Sequence, residues 1–146
     1  MKRRMFIQGS LAAGVAGIAA PAAMAKWSAD TFEAKGMDAT IAAMGAGEAE
    51  ASDKIKIKAP EIAENGMVVP VQIKSEIEGT ETISLLVAEN GTPLTATFTL
   101  GEGAAADVKS RIKMGKTSDV IAMVTAGGKT YKNHVSVKVT KGGCGG

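Results

Sequence analysis

With one cysteine, one histidine and one tryptophan in 146 residues, the chain is short of the side chains that several common functions require. There is no second cysteine to close a disulfide, and Trp27 precedes the strand-rich region. An antibody-type domain, which packs a core tryptophan on an internal disulfide, is therefore excluded. His134 has no neighbouring imidazole or thiolate in sequence and reads as a surface residue, so no metal site is expected. Met37, Met44, Met67, Met114 and Met123 are dispersed and read as core filler, not as a soft copper site. No Cys/His pair, Ser/His/Asp set or glycine-rich phosphate loop is found, so neither catalytic residues nor a cofactor are expected. Glu76, Glu78 and Glu81 cluster in an expected loop and read as a solvated face.

The first 25 residues have a different character. Lys2, Arg3 and Arg4 precede a weakly hydrophobic Gly/Ala-rich stretch, and Ala23-Met24-Ala25 supplies a small-residue cleavage site. This pattern predicts a cleavable signal peptide over residues 1–25, too short to be read as a membrane span. The adjacent arginines and the mild middle region suit twin-arginine export, in which a protein crosses the membrane already folded. With no cofactor motif, a partner bound before export is the expected reason. The compartment is then periplasmic or extracellular, where an unpaired thiol is readily oxidised or capped. Cleavage removes three basic residues and no acidic ones, so the balance of 17 Lys+Arg against 15 Asp+Glu becomes 14 against 15. A nearly neutral chain gives no reason to expect binding to nucleic acid or to an anionic membrane surface. Removing 25 of 146 residues leaves 121, enough for one domain with a core.

Residues 26–52 are expected to hold a short helix and a linker: Asp30 and Glu33 resemble a capping box, and Met37, Ile41 and Met44 recur on one helical face. From Asp53 the period becomes two. Lys54-Ile55-Lys56-Ile57-Lys58 sends isoleucines to one face and lysines to the other, and the lysines read as a solvated face or an edge guard. Residues 67–74 form a second expected strand, which Pro70 assigns to an edge or a bulge. Further strands are expected at 83–88, 94–100, 108–114, 119–125 and 129–141, separated by Asn90-Gly91-Thr92-Pro93 and by the two-residue loop Gly127-Gly128. The run Val120-Ile121-Ala122-Met123-Val124 predicts a central strand covered on both faces. Together, residues 53–141 predict an all-β, immunoglobulin-like antiparallel β-sandwich of about seven strands.

The last expected strand runs into Gly142-Gly143-Cys144-Gly145-Gly146. Glycine loses more conformational freedom on ordering than any other residue, so residues 142–146 are expected to form a flexible arm tethered to a rigid body. An extended chain from Lys141 to Cys144 spans about 10 Å, enough to carry a thiol into a narrow pocket on another protein. The plainer alternative is a structural secreted domain whose cysteine forms an intermolecular disulfide. Arg111, Lys113 and Lys116 form a candidate basic patch, for which a solvated surface is the favoured reading.

The segments Lys138-Val139-Thr140-Lys141-Gly142-Gly143-Cys144-Gly145-Gly146, Ala59-Pro60-Glu61-Ile62-Ala63-Glu64-Asn65-Gly66, Val68-Val69-Pro70-Val71 and Arg111-Ile112-Lys113-Met114-Gly115-Lys116-Thr117-Ser118 together resemble the SoxY family, sulfur carriers of the thiosulfate-oxidising Sox system. The resemblance implies a β-sandwich paired with SoxZ as a heterodimer, a carrier rather than an enzyme. It implies that Cys144 is the covalent attachment residue and that Gly142, Gly143, Gly145 and Gly146 form its swinging arm. It further implies transient docking to the haem thiosulfate-coupling enzyme SoxAX, the thiosulfohydrolase SoxB and, where present, the sulfane dehydrogenase SoxCD.

Overall fold

Alternating apolar and polar residues build two facing sheets in the computed structural model, which describes residues 28–141. Two helices, α1 (Ala29–Glu33) and α2 (Met37–Met44), precede nine strands: β1 (Glu50–Ala51), β2 (Ile55–Lys58), β3 (Ile62–Ala63), β4 (Val69–Ser75), β5 (Thr80–Val87), β6 (Leu94–Thr99), β7 (Asp107–Ile112), β8 (Ser118–Ala126) and β9 (Lys129–Val139). The smaller sheet has the order β2-β4-β7, and the larger runs β1-β9-β8-β5-β6 with β3 also on β9. All seven expected strands are present, and all pair antiparallel with one another. The immunoglobulin-like all-β sandwich is thus observed, with two additions. β1 and β3, two residues each, pair parallel with β9 at Glu50↔Tyr131 and Ile62↔Lys138. Such short segments carry no alternation from which they could be read.

Most of the core lies between the sheets. Ile73 from the small sheet faces Ile83, Leu85, Val120, Val124 and Val137 from the large one, all essentially inaccessible to water. Each contributes about 1.5–3 kcal/mol of burial free energy relative to exposure. β8, between β5 and β9, sends Val120, Ala122 and Val124 into this core and Met123 out through the opposite face. There, Ala46, Leu86, Leu94 and Met123 pack under Phe32, Met37 and Met44 of the helical segment. Helices of five and eight residues are marginal alone, so this second cluster holds them. The run at residues 120–124 is covered on both sides, as its sequence predicts.

The helical segment differs from expectation in two respects. It is two helices, not one, because Gly36 adopts φ 80 between them, in the left-handed region that interrupts a helix. Nor is there a capping box: Ser28 occupies the N-cap position with no side-chain bond, and Asp30 lies inside the first turn. Thr40 is buried instead, its hydroxyl donating to the Gly36 carbonyl at 2.8 Å.

Pro70 also departs from the simple expectation, since β4 is the central strand of its sheet. β2, however, reaches only Gln72, so Pro70 has a neighbour on the β7 side alone, opposite Arg111. The missing N–H is accommodated because the sheet is two strands wide there. Gly127 and Gly128 form the β8–β9 hairpin with φ 56 and 77, the doubly left-handed geometry that the tight two-residue turn requires.

Candidate functional site

The sequence places the chemistry on the segment that follows β9, and the fold shows how its root is held. β9 pairs with β8 along one edge from Ser118↔Val137 to Ala126↔Lys129. At its far end, the other edge is closed by the segment from Glu61 to Gly66. Lys138 N–H donates to the Glu61 carbonyl at 2.9 Å, and Thr140 N–H to the Ala63 carbonyl at 3.1 Å. Gly66 N–H then donates to the Lys141 carbonyl at 2.8 Å, while the Gly66 carbonyl accepts from Met114 N–H at 2.7 Å. On the β8 side, Val139 N–H donates to Thr117 Oγ1 at 2.9 Å. These bonds fix the backbone as far as the carbonyl of Lys141, one peptide before Gly142.

The strap from Glu61 to Val68 turns at Asn65, whose side-chain carbonyl accepts from Met67 N–H at 2.9 Å. It carries all three large apolar side chains that stand most exposed among the described residues: Ile62 at 57%, Met67 at 51% and Val68 at 54%. The root of the arm is thus bordered by apolar surface. The parallel bridge of β3 to β9 has no signal in the sequence, because two residues show no period.

Cys144, Gly142, Gly143, Gly145 and Gly146 lie outside the described residues, as does the expected signal peptide at 1–25. The other sequence candidates divide. His134 is exposed on β9 opposite Ile121. Among the described residues, no three His, Cys, Asp or Glu side chains converge as a metal site would require. Glu76 and Glu78 are exposed in the β4–β5 turn, whereas Glu81 lies within β5, which begins earlier than expected, at Thr80. The triad Arg111, Lys113 and Lys116 does not act as one patch. Lys116 Nζ pairs with Glu89 Oε2 at 3.0 Å, and the loop carrying it is pinned by Asn90, which bonds Lys113 O at 2.8 Å and Gly115 N–H at 3.1 Å. Arg111 faces outward from β7, beside Lys109 of the same strand and on the same face as Lys58, which is remote in sequence.

Comparison with known proteins agrees with this arrangement. The family model described as sulfur oxidation protein SoxY matches residues 41–144. Among solved structures, the sulfur carrier protein SoxY from Chlorobium limicola f thiosulfatophilum superposes with a TM-score of 0.64 at 40% identity, covering 70% of this chain and 89% of that one. A chain from the structure on T cell specificity and activation by the bacterial superantigen toxic shock syndrome toxin-1 reaches 0.42 at 11% identity, covering 58% of this chain and 98% of that one. The endo-beta-1,4-mannanase from Thermotoga petrophila also reaches 0.42, at 14% identity over 70% of this chain and 22% of the enzyme. Neither of these two carries weight for function. No match was found among curated proteins. The SoxY match spans both the strap and the strand that carries the arm, and on that ground the chain belongs to the SoxY family of sulfur oxidation proteins.

Proposed function

We propose that this protein is a periplasmic carrier that holds thiosulfate-derived sulfur covalently on Cys144 and presents it in turn to the enzymes of the Sox system. The observation that carries this reading is the match to the SoxY family up to residue 144, beside a body that grips its last strand up to the Lys141 carbonyl. A rigid root and a glycine-flanked thiol suit a group that must be presented at a distance and then withdrawn. The Cys144 thiolate and thiosulfate join through a new S–S bond as Cys–S–S–SO3⁻, releasing two electrons to the haem enzyme SoxAX. Water then cleaves the bond between the sulfane sulfur and the sulfonate at the thiosulfohydrolase SoxB, leaving Cys–S–S⁻, sulfate and two protons. The sulfane sulfur remaining on Cys144 is oxidised by SoxCD where that enzyme is present, or passed elsewhere.

In this reading the chain supplies attachment and delivery, not catalysis. Ordering five arm residues in an enzyme pocket costs roughly 5–10 kcal/mol, at about 1–2 kcal/mol per residue. Each visit is therefore weak and reversible, as a thiol shared among several enzymes requires. The mature chain starts at Lys26 after twin-arginine export, with SoxZ as its heterodimer partner.

Intact mass spectrometry of protein from thiosulfate-grown cells tests the proposal. The expected result is a set of sulfur adducts on Cys144 that disappear on reduction. Cys144→Ser is expected to abolish thiosulfate-dependent respiration while leaving the melting curve unchanged. A permanent Cys144 disulfide without labile adducts would overturn the reading in favour of a structural secreted domain.

A further inference from the structure

The outer face of the β2-β4-β7 sheet collects charge that no single stretch of sequence reveals. The strand registers align Lys56↔Lys74 and Lys74↔Asp107 in one row, Lys58↔Gln72 and Gln72↔Lys109 in the next, and Pro70↔Arg111 in the third. Alternation places all of these outward, since Ile55, Val71, Ile73 and Ile112 fill the inner positions. Within the registered rows Lys56, Lys58, Lys74, Lys109 and Arg111 therefore share one face with a single carboxylate, Asp107, which already accepts from Gln72 Nε2 at 2.7 Å, and Glu76 follows one row beyond Lys74, its N–H bonded to the Lys54 carbonyl. None of the five makes an ion pair among the described residues. At its Arg111 end the face holds a shallow, open hollow of about 740 Å³, mainly apolar in lining and bordered by Lys58, Pro60, Pro70, Gln72, Lys109 and Arg111.

Edge protection does not account for this pattern. Lysines on β2 and β7 could guard edges, but Lys74 is on the central strand, where there is no edge to guard. It also stands directly opposite Lys56, and like charges in register destabilise a sheet. In a chain whose mature charge is nearly balanced, such segregation marks a surface shaped for a counterpart of opposite sign.

One end of the face lies beside the end of β9. Asp107 lies at its far end, opposite Lys74, whereas Arg111 and Pro70 lie at the end where β4 and β7 meet the strap. Three residues beyond Arg111, Met114 N–H bonds to Gly66, and Gly66 bonds to Lys141. An extended chain carries Cys144 only about 10 Å from Lys141, so any enzyme that takes the thiol into a pocket must bring its own surface against this end of the body.

We propose that the basic face built from Lys58, Lys109 and Arg111, extended by Lys56 and Lys74, docks an acidic protein surface beside the pocket that receives the arm. The inference rests on Cys144 being the carrier thiol. A five-residue glycine-rich segment that must be ordered on binding gives little affinity, and complementary charge on the body adds encounter rate without a lasting complex. One basic face also serves several enzymes, provided each bears acidic residues around its entrance.

The test follows sulfate release by the host thiosulfohydrolase from thiosulfate-loaded carrier, in complex with its partner subunit, as carrier concentration and ionic strength vary. The triple change Lys58→Glu, Lys109→Glu and Arg111→Glu is compared with Lys35→Glu, Lys129→Glu and Lys132→Glu, an equal charge change elsewhere. The expected result for the first is a KM raised about tenfold at low salt with kcat unchanged, the gap closing as salt is added. Cys144 alkylation by iodoacetamide is expected to match the parent. Should the triple variant not fold, Lys109→Glu alone carries the test, with an expected rise of about threefold. Equal behaviour of the two triple variants overturns the proposal. So does loss of the partner subunit, which would make the face a subunit interface, or calorimetric binding of free thiosulfate or sulfate that the triple change abolishes. Sulfate release from a Cys144→Ser carrier would refute the carrier reading itself, whatever the face does.

Discussion

Met114→Ala separates the body from the arm. Met114 is fully buried in the main core, although it lies past the end of β7 in the loop that reaches the strap. Its N–H bond to the Gly66 carbonyl, 2.7 Å, involves only backbone and survives the substitution, so the change deletes side-chain packing alone. Removing a fully buried methionine side chain leaves a cavity and costs about 2–5 kcal/mol. For a domain of this size that lowers the melting temperature by roughly 10–20 °C. Met114→Leu, which nearly conserves volume, is expected to cost less than about 1.5 kcal/mol. Thermal and urea unfolding, with m unchanged, measure both values. Well below the melting temperature, the rate at which iodoacetamide modifies Cys144 is expected to stay within about twofold of the parent, because thiol reactivity follows local charge and exposure. A loss below about 1 kcal/mol would refute the packing argument. A large change in alkylation rate in the folded variant would refute the separation of thiol from body.

Two other substitutions probe the turns that shape the body. At Gly127 and Gly128 nothing lies within 4 Å of an added Cβ, so Gly127→Ala costs only backbone conformation at φ 56, about 1–2 kcal/mol, and Gly127→Asn costs less. Equal urea midpoints for the alanine and asparagine variants would contradict this. Asn90→Ala removes both bonds to the loop at Lys113 and Gly115 and is expected to lower stability by about 1–2 kcal/mol, with faster amide exchange at Gly115 as its signature.

The fold was largely legible because its strands state their own period. Ile55 and Ile57 between lysines, Val69-Pro70-Val71-Gln72-Ile73 and Val135, Val137 and Val139 each assign inner and outer faces, and Gly127-Gly128 fixes one hairpin. What could not be read was non-local or very short. β1 and β3 exist because β9 offers an open edge at each end, a fact about β9 that residues 50–51 and 62–63 do not contain. The helix break follows from Gly36 at φ 80, and the apolar cluster that the two helices cover is assembled from Leu86, Leu94 and Met123, far away in sequence.

The site shows the same division in sharper form. A lone cysteine between glycines is visible because it is local, but the surface that would guide it is a product of register. Lys56-Ile57-Lys58 by itself is an ordinary edge strand, and Lys109-Ser110-Arg111 is another; only pairing both with β4 sets five cations around Gln72. Slip either register by one residue and the lysines would enter the core while Ile57 and Val108 met water, so the apolar pattern that secures the fold also secures the charge pattern. Hydrophobic burial at Ile55, Ile73 and Ile112 thus holds Lys56 and Lys74 opposite one another despite their repulsion. Local sequence therefore exposes the thiol, whereas long-range pairing builds both the grip on Lys141 and the face beside it.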